Sequence, residues 1–151
     1  MYSSIMASQL IHQEVLLNAT PDLVYDALLD SDKFTRFTGS RSADISRDVG
    51  GRFTLFDGRI TGRNVELVPD RRIVQAWRSS AWEEGIYSIV RFELERLDSG
   101  LTRLHMDHSG FPEDQRKHLE TGWRANYWIP LQSYLSDSRP PRGRRRDLRK
   151  N

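Results

Sequence analysis

The stretch Leu67–Leu94, LVPDRRIVQAWRSSAWEEGIYSIVRFEL, sets two alternating runs on either side of a turn-rich connection. In "RIVQAWR", Arg78 must reach water, so Ile73, Gln75 and Trp77 turn to the opposite face. In "SIVRFEL", Arg91 and Glu93 face outward, which turns Ser88, Val90, Phe92 and Leu94 inward. A period of two on both sides of "SSAWEEG" predicts two antiparallel strands. The second of them is expected to start at Ile86.

The same pattern extends both ways. Downstream, Asp98-Ser99-Gly100 makes a turn into "LTRLHMDHS", where Thr102, Leu104, Met106 and His108 share a face opposite Arg103, His105 and Asp107. Upstream, Pro69-Asp70 makes a turn, with proline at its favoured second position. Gly62 inside "RITGRNVELV" predicts a bulge or the close approach of another backbone. Asp57-Gly58 reads as a two-residue hairpin turn after "RFTLF". Consecutive hairpins predict an antiparallel meander.

The flanks are helical. After a strand over Leu10–Leu17, Thr20, Pro21 and Asp22 open a helix that faces Val24, Ala27 and Leu28 to a core. Asp30 or Ser31 then caps a short second helix carrying Phe34 and Phe37. At the other end, Pro112, Glu113 and Asp114 start a helix of about 23 residues, with Leu119, Trp123, Asn126/Tyr127, Pro130 and Tyr134 at three- and four-residue steps. Pro130 is expected to kink it. Five steps of about 100° turn Trp128 well away from Trp123 around the helix, which predicts partial exposure for Trp128. One antiparallel sheet covered by one long helix is an α+β architecture.

Composition narrows the function. The chain has 151 residues, 37% hydrophobic and 29% charged, as expected of one globular domain. No apolar run is long enough to cross a membrane, and no signal peptide is expected, although Met6 competes with Met1 as the start. With no cysteine, disulfides and thiolate chemistry are excluded, and the cytoplasm is the expected location. The net charge of +2 combines +6 on Arg139–Asn151 with −4 on the remainder. Residues 138–151 are expected to be a disordered basic tail, 1–9 a flexible N-terminus and 10–137 the domain. Nucleic acid binding is not expected except through that tail.

The inner face mixes apolar residues with Gln75, Ser88, Thr102 and His108. Each polar group is either hydrogen-bonded in a solid core or lines a wet or ligand-filled cavity. Metal is not expected: His105 and Asp107 share a face, His108 points away, and only His12 and His118 remain as further imidazoles. No phosphate loop, paired carboxylates or Ser–His–Asp order is evident. His108 is the one weak candidate for catalysis, with Tyr127 and Tyr87 weaker still.

The segments "GGRF", "FDGRITG", "ELVPDRRIVQAWR", "W-E-E-G", "S-G-F-P" and "GWRANYW" resemble, in order, the activator of heat-shock protein 90 ATPase homologue-like family of the START-like, or helix-grip, superfamily. The resemblance runs from about Val15 to Leu135. It implies a curved antiparallel sheet wrapped around a long C-terminal helix, two short helices after the first strand, and an apolar cavity between sheet and helix. It also implies a non-catalytic domain without cofactor that binds a small hydrophobic molecule. The cavity walls would be Phe53, Gln75, Trp77, Trp82, Ser88, Val90, Phe92, Met106, His108, Trp123 and Tyr127. A heat-shock protein 90-type chaperone is the alternative partner, contacted through Trp82 in its acidic loop. A cyclase- or hydrolase-like enzyme using His108 is the third reading.

Overall fold

The alternation of the sequence is carried through by a seven-stranded antiparallel sheet with the order β1-β7-β6-β5-β4-β3-β2. The strands are β1 Leu10–Leu17, β2 Asp44–Ile45, β3 Arg52–Leu55, β4 Ile60–Val68, β5 Arg72–Ser79, β6 Ser88–Arg96 and β7 Thr102–Ser109. The structure, a computed structural model, describes residues 10–39 and 41–137. The expectations for the N-terminus, its start and the basic tail lie outside the described residues. No described helix is long and apolar enough to cross a membrane.

Two short helices, α1 Pro21–Leu29 and α2 Ser31–Phe37, follow β1. Thr20 precedes α1 with Pro21 in its first turn, and Asp30 caps α2 by accepting the Lys33 N–H at 2.9 Å. Ser31 is therefore not the cap; its hydroxyl accepts the Ile45 N–H at 2.8 Å and ties α2 to β2.

Gly62 meets the second of its two expectations. A β-carbon there would sit 1.9 Å from the Ala76 carbonyl oxygen and 2.5 Å from Phe53 Cζ. The bulge lies two residues on, where Val65 is skipped between Asn64 and Glu66. The β3–β4 connection corrects the two-residue turn. Leu55 pairs with Ile60, leaving four residues in the loop, with Phe56 and Asp57 at φ 53° and 58°. A bulky residue rarely adopts that conformation. Tertiary contacts hold it: the Phe56 ring packs 5.6 Å from both Phe34 and Tyr127, and the Asp57 carboxylate accepts the Ser42 N–H at 2.7 Å. Strand β6 also begins at Ser88 rather than Ile86, leaving Ile86 and Tyr87 exposed.

The C-terminal helix α3 spans residues 113–137 and changes pitch along its length. A 3₁₀ turn at Glu113–Gln115 leads into α-helix Arg116–Gly122, π-helix Trp123–Trp128 and α-helix Ile129–Asp137. Within the π stretch the hydrogen bonds reach back five residues, as from Ile129 N–H to the Arg124 carbonyl. Residues five apart then share a face. Trp128 is consequently buried, 3% exposed and stacked on Trp123 at 5.6 Å, and not partly exposed as expected. Its indole N–H donates to Gln13 Oε1 at 2.7 Å, fastening the helix to β1. The wide turn lies just before Pro130, whose ring would clash with the carbonyl four residues back in a regular helix.

Candidate functional site

Strand alternation brings Trp77 from β5, Ser88 from β6 and His108 from β7 to one end of the inner face, opposite Trp123 on α3. The four form one hydrogen-bonded chain. Trp123 Nε1–H donates to His108 Nδ1 at 3.0 Å, His108 Nε2 lies 2.8 Å from Ser88 Oγ, and the Ser88 hydroxyl donates to the Trp77 carbonyl at 2.7 Å. Because both the indole and the serine hydroxyl already donate, the imidazole is neutral and carries its proton on Nε2. Burial agrees: it pulls the His108 pKa down to about 3. Both ring nitrogens are thus committed inside the core, the arrangement of a hydrogen-bonded wall residue.

This has a consequence for acid stability. The unfolded chain protonates His108 near 6.5, whereas the native chain does so only near 3, so falling pH favours unfolding across that window. The expected slope is at most about 1.4 kcal/mol per pH unit. In urea titrations at pH 7 and 4.5, His108→Gln should lose about 2–3 kcal/mol less than the parent protein between the two pH values. Equal losses would show that His108 is not the acid-sensitive group.

Around this chain the aromatic rings are in contact. Trp77 stacks on Trp123 at 5.5 Å and meets Trp82 at 5.9 Å; Phe92 lies 5.8 Å from Trp123, and Tyr127 lies 4.4 Å from Trp123. Trp82 is only 7% exposed, so it closes the core within its acidic loop instead of presenting a surface to a partner. The indole N–H groups of Trp77 and Trp82 are buried without a partner of hydrogen-bond geometry. The Trp77 N–H does approach Tyr127 closely enough to oppose part of the rise that burial imposes on the phenol's pKa.

A pocket of about 210 Å³ opens beside these rings, between the β3–β4 turn, the end of β5 and α3. Trp77, Trp123 and Tyr127 of the expected cavity set line it. Phe53, Val90, Phe92 and Met106 are instead packed in the core. Gln75 donates to Asn64 Oδ1 at 3.3 Å inside the sheet, and Ser88 and His108 belong to the buried chain. Tyr87 is half exposed on the outside. Sequence reading missed Phe56, Ile60, Leu119 and Gly122 in the wall, and the exposed Arg41, Arg59 and His118 at the mouth. "FDGRI" and the helical i, i+4 pair Leu119 and Trp123 were visible, but only the fold brings them together.

A curved antiparallel sheet closed by one long helix, with a pocket between them, defines a helix-grip domain of the START-like class. The chain belongs to the family described as activator of Hsp90 ATPase homolog 1-like protein, whose model matches residues 18–136. It is 33% identical over 107 residues to the activator of 90 kDa heat shock protein ATPase homolog of Dictyostelium discoideum, covering 71% of this chain and 28% of that protein. It is 30% identical over 110 residues to the human homolog 1, covering 72% of this chain and 32% of the relative. The chain therefore spans about a third or less of the length of these relatives. Among solved structures, an HSP90 activator from Plasmodium falciparum superposes with a TM-score of 0.79 at 24% identity, over 85% of this chain and 96% of the other.

Proposed function

We propose that the domain is a non-catalytic binder of a small, largely apolar molecule seated in the pocket between sheet and α3. The observation that carries this reading is the pocket wall itself: Phe56, Ile60, Trp77, Leu119, Trp123 and Tyr127 beneath a mouth bearing Arg41 and Arg59. Such a mixture of an apolar floor and a few polar groups is typical of small-molecule sites. At about 210 Å³ the pocket is small, which suits a compact ring system. The two guanidinium groups favour a ligand with one anionic group.

Gly122 supplies the test. A β-carbon there would meet nothing nearer than Asn126 Nδ2 at 3.7 Å, so a larger side chain can enter the pocket without disturbing the helix. Gly122→Leu should keep or raise stability, because glycine costs a helix about 0.5–1 kcal/mol. It should weaken 2-naphthoate binding, followed by tryptophan fluorescence, at least about tenfold, and remove any mass carried by the purified protein in native mass spectrometry. No saturable response and no carried mass in the parent protein would overturn the reading.

Family membership favours a second reading, a co-chaperone-like contact with a heat-shock protein 90-type chaperone. Stimulation of chaperone ATPase by the parent protein, undiminished in Gly122→Leu, would support it and separate it from ligand binding.

A further inference from the structure

On the face of the sheet away from α3, the pairing of β1 with β7 creates a cluster that neither strand contains alone. His12 lies opposite Asp107, and Glu14 lies opposite His105. One ligand atom from each of His12, Glu14 and His105 falls within 4.8 Å of the others. Glu14 Oε2 is 3.0 Å from His12 Nε2 and 3.4 Å from His105 Nδ1. The remaining nitrogen of each ring is held from behind by a carboxylate: His12 Nδ1 by Asp107 at 2.7 Å and His105 Nε2 by Glu95 at 2.9 Å. Those carboxylates are themselves anchored, Asp107 by Arg91 at 3.4 Å and Glu95 by Arg103 at 3.6 Å.

We infer that His12, Glu14 and His105 form a surface site for a divalent transition-metal ion, with Asp107 and Glu95 orienting the two imidazoles. Two imidazoles and a carboxylate are a donor set suited to zinc. A carboxylate behind each ligating ring is the usual outer support of such sites, fixing the tautomer and raising the basicity of the metal-facing nitrogen. Metal-to-ligand distances of about 2.0–2.2 Å require the side chains to adjust from their present spacing, which the exposed His12 and Glu14 allow around a half-buried His105. The three protein ligands leave a coordination position open to water or to a group from a partner.

Isothermal titration of the full chain with zinc chloride tests this. One ion per chain is expected, with affinity reduced at least tenfold in His12→Ala, in His105→Ala and in Glu14→Gln. Asp107→Asn should weaken binding about 10–100-fold while leaving the donor set intact, a loss expected only if Asp107 positions His12. Far-UV circular dichroism and 2-naphthoate binding should be unchanged in all four, because the pocket is on the other face. Absence of saturable zinc uptake by the folded parent protein, or uptake indifferent to both histidine substitutions, would overturn the inference.

Discussion

Gly62→Ala is expected to cost about 3 kcal/mol or more, near the top of the range for a single methyl group. The added carbon would fall 1.9 Å from the Ala76 carbonyl oxygen and 2.5 Å from the Phe53 ring. The first contact cannot be relieved by a rotamer, because it is with the backbone of the neighbouring strand. Gly62 pairs directly with Trp77, so a shift of β4 would also disturb the aromatic floor of the pocket. Against a total stability of about 5–15 kcal/mol for a typical domain, this is a large fraction. Urea unfolding followed by tryptophan fluorescence measures it, with Gly122→Ala as the opposite case. A loss below about 1 kcal/mol would mean that the two strands separate freely at this point.

Trp123→Ala should be comparably damaging, about 3–5 kcal/mol. Trp123 is 2% exposed, stacks between Trp77 and Trp128, and supplies the donor for His108. Trp123→Phe separates the two contributions. It retains an aromatic ring but leaves His108 Nδ1 buried without a partner, a loss of about 1–3 kcal/mol. The near-UV circular dichroism of the stacked indoles should collapse in both variants. If alanine and phenylalanine cost the same, the hydrogen bond and not the stack dominates at this position.

The strands and their faces were legible because their signal is local. Arg72 and Arg78 at the ends of "RIVQAWR", and Arg91, Glu93 and Glu95 within "SIVRFELER", mark the outer face and assign the alternate side chains to the core, and Ile73, Trp77, Val90 and Phe92 are buried as that period requires. The two short helices were legible through Pro21 and Asp30 for the same reason. The candidate pocket was not. It combines a β-turn, a strand end and two turns of helix that are distant in sequence, and its mouth arginines carry no pattern of their own. Polar residues on an inner face left a cavity and a hydrogen-bonded core both open; Ser88 and His108 satisfy each other, a pairing that depends on strand register.

Local chemistry also failed wherever packing overrode it. Asp57-Gly58 carries the signal of a tight hairpin, but burying the Phe56 ring against Phe34 and Tyr127 favours a longer loop. Regular pitch would turn Trp128 well away from Trp123, and it is buried because the six residues Trp123–Trp128 adopt the wider turn.

By itself, then, the sequence determined the meander, the faces of its strands, the long covering helix and the family resemblance, all of which rest on short-range periodicity and motif order. Tertiary structure alone decided the pitch of that helix, the protonation state of His108, the position of the pocket and the meeting of His12 with His105. Each of these depends on which non-adjacent segments come within hydrogen-bonding or van der Waals reach, and a one-dimensional pattern does not encode that distance.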